Sequence, residues 1–228
     1  MKKMIFQTIL LISCMPYLFS QIDCPSSVMD IEGNSYPTVK IGSQCWMAQN
    51  MRAGRDCNGK EIPLGNTLSY TAPLLYLNVT GESKCGYLYN WTAAMRVCPK
   101  GWHLPTDAEW GKLLDYVGAQ PQFCCGGQSE KIAKALADTT GWAISRWPDS
   151  CAVGRNLVKN NTTGFSVLPA GPHDGNYSDY GGWAYFWSAT SSKSNYAYYR
   201  YMANDWDVVN RHDYYKSYGF SVRCVRNQ

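Results

Sequence analysis

Nine cysteines, at positions 24, 45, 57, 85, 98, 124, 125, 151 and 224, follow the first twenty residues of this 228-residue chain. The stretch before them sets their chemistry. Met1-Lys2-Lys3-Met4 is short and positive, and Ile5 to Phe19 is apolar apart from Gln7, Thr8, Ser13 and Pro16. Leu18-Phe19-Ser20 then precedes Gln21 as a small-residue cleavage site, so residues 1–20 read as a secretory signal peptide, too short and too poorly flanked to span a bilayer. Leu11-Ile12-Ser13-Cys14 fits a second reading, a lipobox leaving a lipid anchor on Cys14. The length of the apolar stretch favours cleavage after Ser20. Either route exports the chain into a compartment where disulfides persist. Nine is odd, so four bridges and one thiol are expected. The thiol is assigned to the Cys124-Cys125 pair, because neighbouring cysteines bridge each other only with backbone strain; the other member then bonds Cys151. Zinc fits poorly. No Cys-x-x-Cys pair occurs, and His103, His173 and His212 lack ligand spacing, so no metal and no cofactor are expected.

Charge excludes one class of partner. The formal net charge is +4, and loss of Lys2 and Lys3 with the leader leaves +2. A nucleic-acid binder needs a concentrated basic stripe, so none is expected. No segment beyond the leader is apolar enough to span a membrane. With 45% hydrophobic and 17% charged residues, the remaining chain can bury a sizeable core as one domain, residues 21–228. Nine Trp and 17 Tyr are the compositional oddity, suited to a packed core or a recognition surface.

The pattern along the chain predicts α+β. Residues 28–51 read as extended hairpins, with turns at Asp30 to Asn34 and at Gly42-Ser43. Asn90 caps a short helix through Arg96. Thr106 with Glu109 forms a capping box, and Trp110, Leu113, Leu114 and Val117 recur at helical spacing before a stop at Gly118. A weaker helix is expected from Ser129 to Ala137. Short strands follow at 164–168, 184–187, 196–199 and 219–226. In the last, Phe220, Val222 and Cys224 face one way and Ser221, Arg223 and Arg226 the other. Strands at both ends predict that the termini meet in one sheet.

Several longer segments resemble one family. Tyr36-Pro37-Thr38-Val39-Lys40-Ile41-Gly42-Ser43-Gln44-Cys45-Trp46-Met47-Ala48-Gln49-Asn50-Met51 looks like the opening signature of the Fibrobacter succinogenes major paralogous domain. Tyr87 to Trp91, Ala93-Ala94-Met95, and Cys98-Pro99-Lys100-Gly101-Trp102-His103-Leu104-Pro105-Thr106 through Trp110 are similar to its centre. Residues 164–171, 186–190 and 219–226 are similar to its end, so the resemblance covers about residues 28–226. It implies a C-type lectin-like fold: a mixed antiparallel sheet, two main helices and long disulfide-stapled loops presenting a ligand surface. It also implies a Cys98–Cys224 bridge and, by looser analogy, Cys24–Cys45 and Cys57–Cys85. Fold alone does not fix function. The formylglycine-generating branch of related folds needs an Arg-Gly-Gly-Ser-Trp segment, and the sugar-binding lectin branch a Glu-Pro-Asn or Gln-Pro-Asp calcium motif; neither occurs.

The segment 188–218 carries the functional expectation. Nineteen of its 31 residues are Asn, Asp, His, Ser or Tyr. Changes at the adenines of an asparagine codon reach those same residues, and the segment resembles the C-terminal variable region of diversity-generating retroelement targets. Tyrosine offers large contact area at low entropic cost, and Asn, Asp and Ser offer adaptable polar contacts, the composition of antibody loops. The expected ligand-binding residues are Tyr196, Tyr199, Tyr201, Asn204, Asp205, Trp206, Asp207, Asn210, His212, Asp213, Tyr214, Tyr215 and Tyr218, beside loops near 172–187; the side chains at 196, 199, 201, 205, 207, 210, 212 and 214 are expected to be mostly exposed on one face. Competing readings are bland for other features. Asp174-Gly175-Asn176 with Asp179 reads as a turn rather than a calcium loop. His103 reads as a structural histidine, and Asp107 and Glu109 as first-turn acids suited to the helix dipole. The chain is therefore expected to be a non-catalytic, exported, surface-associated binder of an unknown protein or glycan, adhesin-like, with a formylglycine-generating-enzyme-like oxidase or a pilus or fibre-tip subunit as alternatives.

Overall fold

The computed structural model describes residues 23–78, 83–149, 151–175 and 180–228. The expected leader, the lipobox Cys14, and Asn176 and Asp179 lie outside the described residues. Ten strands and three α-helices are described: β1 (Ser27–Met29), β2 (Ser35–Ile41), β3 (Gln44–Met47), β4 (Leu75–Tyr76), β5 (Leu88–Tyr89), α1 (Trp91–Val97), β6 (Trp102–His103), α2 (Asp107–Gly118), α3 (Ala133–Leu136), β7 (Trp183–Lys193), β8 (Tyr196–Ala203), β9 (Asn210–Tyr215) and β10 (Val225–Arg226). The class is α+β.

The first sheet has the order β1-β2-β3-β10-β6, so the two ends of the chain do meet: Val225 lies opposite Trp46 and His103. Its opening hairpin forms because Asp30 accepts hydrogen bonds from the backbone N–H of Glu32 and Asn34, closing the turn between β1 and β2. Gly42, at φ +60°, then turns β2 into β3. A second sheet pairs β4 with β5, and a third has the order β7-β8-β9.

Helix α2 forms as its capping box dictates. Thr106 Oγ1 accepts from Glu109 N at 3.2 Å, and Glu109 Oε2 accepts from Thr106 N at 2.8 Å. Trp110, Leu113 and Val117 are buried on its inner stripe with Phe165, Phe186 and Met202. The Asn90 side chain caps α1 by accepting from Ala93 N. The expected third helix shrinks to Ala133–Leu136, because Lys131 and Ala133 are drawn instead toward Asp207, through its carboxylate and its carbonyl. Residues 164–168 form no strand. Ser166 sits in the left-handed region at φ +57°, held there by Asn161, and Val167 keeps only an isolated bridge to Ala137.

Three disulfides pin this framework: Cys24–Cys45, Cys98–Cys224 and Cys125–Cys151. The expected Cys57–Cys85 bridge does not form. Cys57 N–H is bonded to the Arg96 carbonyl at the end of α1, whereas Cys85 is packed into a separate cluster with Tyr76, Leu88, Leu168 and Ala170. Among the described residues there are thus three bridges, not four. The polar face expected for 219–226 is also corrected: Ser221 and Arg223 are fully buried and hydrogen-bonded inside the molecule. Both ring nitrogens of His103 are engaged, Nδ1 with Asn227 Oδ1 at 2.6 Å and Nε2 with Glu109 Oε1 at 2.9 Å.

Two outcomes follow for stability. Cys98 and Cys224 are 126 residues apart, so replacing both with serine releases a long loop in the unfolded chain and is expected to cost up to about 4–5 kcal/mol in denaturant unfolding. The His103–Glu109 pair predicts a pH window. The bond to Glu109 raises the His103 pKa above its ordinary 6.5. Burial alone would raise Glu109, but His103 and the Thr106 cap hold it down at about 2. A raised histidine stabilises fully below about pH 6.5 and loses that contribution as pH climbs through its folded value. A depressed carboxylate stabilises above about pH 4.5 and loses its contribution toward pH 2. Thermal unfolding of the native chain compared with His103→Gln is expected to show a gap that is widest between these limits and narrows as pH rises through the raised His103 value.

Candidate functional site

Strand alternation divides the tyrosine-rich segment between two sides of one sheet. Residues directly opposite each other share a face. Trp187, Tyr199 and His212 are aligned across the three strands, as are Tyr185, Tyr201 and Asn210; Ala197 lies opposite Tyr214. Those residues form one face, buried at Trp187, Ala197 and Tyr199 and open to solvent at His212 and Tyr214, and that open edge makes it the outer face. The inner face carries Phe186, Arg200 and Arg211 in one row, with Tyr198 opposite Asp213 and Tyr196 opposite Tyr215.

The inner face is fastened to α2. Arg200 Nη1 donates to Asp107 Oδ1 at 2.6 Å, and Arg211 Nε lies 3.0 Å from both Asp107 oxygens. Burial opposes the Asp107 charge, but the two arginines override it and hold the carboxyl below its ordinary range. Arg211 also covers the Tyr198 ring at 3.7 Å. Asp107 is therefore a clamp between helix and sheet as well as a first-turn acid.

On the outer face the aromatic rings gather. Tyr185 lies parallel to Tyr201 at 6.0 Å with an interplanar angle of 9°, and Trp183 continues the row. Trp206, 36% exposed, meets Trp183 edge-on at 5.0 Å. Beside this row lies a cleft of about 160 Å³ lined by Pro172, Asp174, Tyr185, Tyr199, Tyr214, Tyr218 and Phe220. Gly219 makes it possible. A Cβ there would come within 2.6 Å of the Tyr76 ring, and its absence lets residue 219 exchange two 2.8 Å backbone hydrogen bonds with His173. That pairing brings Pro172 and Asp174 alongside Tyr218 and Phe220. Burial and the neighbouring Tyr201 push the Tyr199 phenol up, so it stays a neutral donor.

The thirteen expected residues do not form one exposed patch. Tyr199, Tyr214 and Tyr218 line the cleft, and Tyr201 and Trp206 flank it. Asn210 and His212 share the outer face. Tyr196, Asp213 and Tyr215 point to the opposite side, where Tyr196 and Tyr215 pack ring to ring at 4.5 Å and Asp213 accepts from Ser192 at 2.7 Å. Asn204, Asp205 and Asp207 tie the β8–β9 loop to the framework, bonding Gly154 and Gly182, Arg146, and Lys131 respectively. Tyr199 itself is only 7% exposed. Tyr185 and Phe220, which read as ordinary strand residues, complete the cleft; their signal is register with Tyr201 and with Tyr89, invisible in a one-dimensional pattern. Among the described residues no group of three or more His, Cys, Asp or Glu is placed to hold a metal ion, and no helix is long and apolar enough to cross a membrane.

An α+β domain with three disulfides fits a chain that folds outside the reducing cytosol. The family model of the Fibrobacter succinogenes major domain matches residues 39–226, and the chain belongs to that family. No curated protein matches the chain, and no solved structure matches it.

The Asp107 clamp predicts unequal costs. Asp107→Ala leaves the Arg200 guanidinium, whose side chain is 5% exposed, without its carboxylate and is expected to cost about 3 kcal/mol in chemical denaturation. Arg211→Ala removes a side chain that is 48% exposed and is expected to cost under about 1 kcal/mol.

Proposed function

We propose that this protein is an exported, surface-associated, non-catalytic ligand binder with a C-type lectin-like fold, adhesin-like in role, whose binding face is the outer side of the β7–β8–β9 sheet. The observation that carries this reading is the aromatic cleft with its flanking row of Trp183, Tyr185, Tyr201 and Trp206. Large rings with polar tips, half-exposed on a rigid sheet, suit recognition of a protein or glycan surface, because the framework holds the anchors still before binding. The placement of the thiols outside the disulfides speaks against the oxidase alternative. Cys57 is beside the end of α1, Cys124 Sγ is 3.3 Å from the carbonyls of Gly118 and Gln120, and Cys85 is buried elsewhere, so they do not converge as a catalytic pair.

The retroelement reading narrows to the strands. Outer-face positions Tyr201, Asn210, His212 and Tyr214 belong to the adenine-linked residue set and tolerate exchange. Asp205 and Asp207 hold Arg146 and Lys131 through their side chains and do not. A near-identical DNA template beside the gene, differing at adenines within those strand codons, is the expected genetic signature.

The binding test is direct. The exported chain, screened against arrayed glycans and surface proteins, is expected to give a ligand whose affinity falls at least about tenfold in a Tyr201→Ala/Trp206→Ala/Tyr214→Ala variant that circular dichroism shows to be still folded at the assay temperature. Retention of full affinity by that variant would move the binding face elsewhere.

A further inference from the structure

Charge and ring geometry in the cleft restrict the chemistry of its occupant. None of its seven lining residues is basic, five are aromatic, and one, Asp174, is a carboxylate. Phe220 at 2% and Tyr199 at 7% exposure form its floor, and Tyr214, 37% exposed, stands at its mouth. The rings that line it pack against one another. Tyr185 stacks on Phe220 at 5.2 Å, Tyr199 lies 5.0 Å from Phe220, and Tyr214 is 4.8 Å from Tyr218 and 6.3 Å from Tyr199. Aromatic faces are electronegative, and a cation within about 6 Å of a face gains roughly 0.5–2 kcal/mol. The Asp174 charge reaches the same space: burial, then Tyr214 and Asp174, push the Tyr218 phenol up. The size is equally selective. A cavity of about 160 Å³ is close to the ~150 Å³ that holds one benzene and well below the ~300 Å³ at which pockets begin to take drug-sized molecules. The cleft takes in one compact group, and a larger ligand would extend from its mouth into solvent.

We propose that the cleft is a receptor for an alkylammonium group, primary or methylated, caged by Tyr185, Tyr199, Tyr214, Tyr218 and Phe220 and paired with Asp174. The assignment rests on the outer face being the binding face, and it names the group that the face takes from its ligand. A lysine side chain of a protein partner supplies the primary form, and a choline-type head group the methylated form.

The test is an NMR titration of the exported chain with four probes: tetramethylammonium, n-butylammonium, neutral 3,3-dimethylbutanol and methyl β-glucopyranoside. Both ammonium ions are expected to shift Tyr214 and Tyr218 resonances and to bind at least about fivefold more tightly than the neutral alcohol. The tighter of the two identifies the head group. Asp174→Asn is expected to weaken ammonium binding at least about fivefold while leaving the alcohol unchanged, and added salt to weaken the ammonium alone. Tyr214→Leu, which keeps apolar contact but removes the ring, is expected to weaken the ammonium and not the alcohol. Equal binding of the neutral alcohol, ammonium binding indifferent to Asp174→Asn, or no shift at the cleft overturns the proposal. Tighter binding of the glucoside at the cleft also overturns it while leaving the outer face as the binding face. The triple variant with its array ligand tests that broader reading separately.

Discussion

The Arg223 guanidinium is the contact on which the rest of the architecture depends. It is fully buried among Phe165 and Phe186, 4.8 and 5.6 Å from their rings. Burial pushes its pKa down, yet a guanidinium keeps its proton, so the charge must be solvated by the protein itself. Nε donates to Asn50 Oδ1 at 2.7 Å, Nη1 to the carbonyls of Met47 and Phe165, and Nη2 to the Ser166 carbonyl at 2.6 Å. Asn50 in turn donates to the Cys85 carbonyl and to Ser221. One side chain thereby holds the end of β3, the bend at 165–166 and the segment entering β10 in a single arrangement. Phe220 and Ser221 occupy their places beside β7 because that segment is fixed.

This arrangement explains which parts of the molecule could be read in one dimension. Local chemistry was legible. The Thr106–Glu109 capping box, the Trp110–Val117 stripe, the Asn90 cap and the turn at Asp30 depend on residues within a few positions of one another. So was the meeting of the termini, from strand patterns at both ends. Residues 219–226 misled, because alternation of Phe220, Val222 and Cys224 with polar neighbours normally marks a half-solvated strand, whereas here Ser221 and Arg223 are absorbed by a buried polar network. Strand β9 was hidden for the opposite reason. Asn210 to Tyr215 has no hydrophobic alternation, since an edge strand with mostly exposed side chains needs none. Cys57 and Cys85 show that cysteine parity does not determine pairing: one is half-buried beside the end of α1, the other packed in a small core cluster.

The candidate site was legible in composition and not in geometry. Tyrosine enrichment over 188–218 marked the right part of the chain. It could not separate side chains that alternate across a sheet, nor mark Tyr185 and Phe220, whose roles come from pairing with Tyr201 and Tyr89 on other strands. The two faces have different duties. One is bound to α2 through Asp107, which fixes the orientation of the sheet; the other carries rings whose spacing is set by strand register. That outer surface is held as a fixed arrangement of rings.

The Cys98–Cys224 bond has a mechanical consequence. Tension applied across the flanks of the domain, at residues 23 and 228, enters at Cys98 and crosses to Cys224 through one covalent bond. The 125 residues between them, including every ring of the cleft, are bypassed by the load. Cys24–Cys45 shunts the first hairpin in the same way. Under such a pull the chain would lengthen first over residues 46–97, whose Tyr76 and Tyr89 pack against Gly219 and Phe220, so load would reach the cleft through its packing and not along its own backbone.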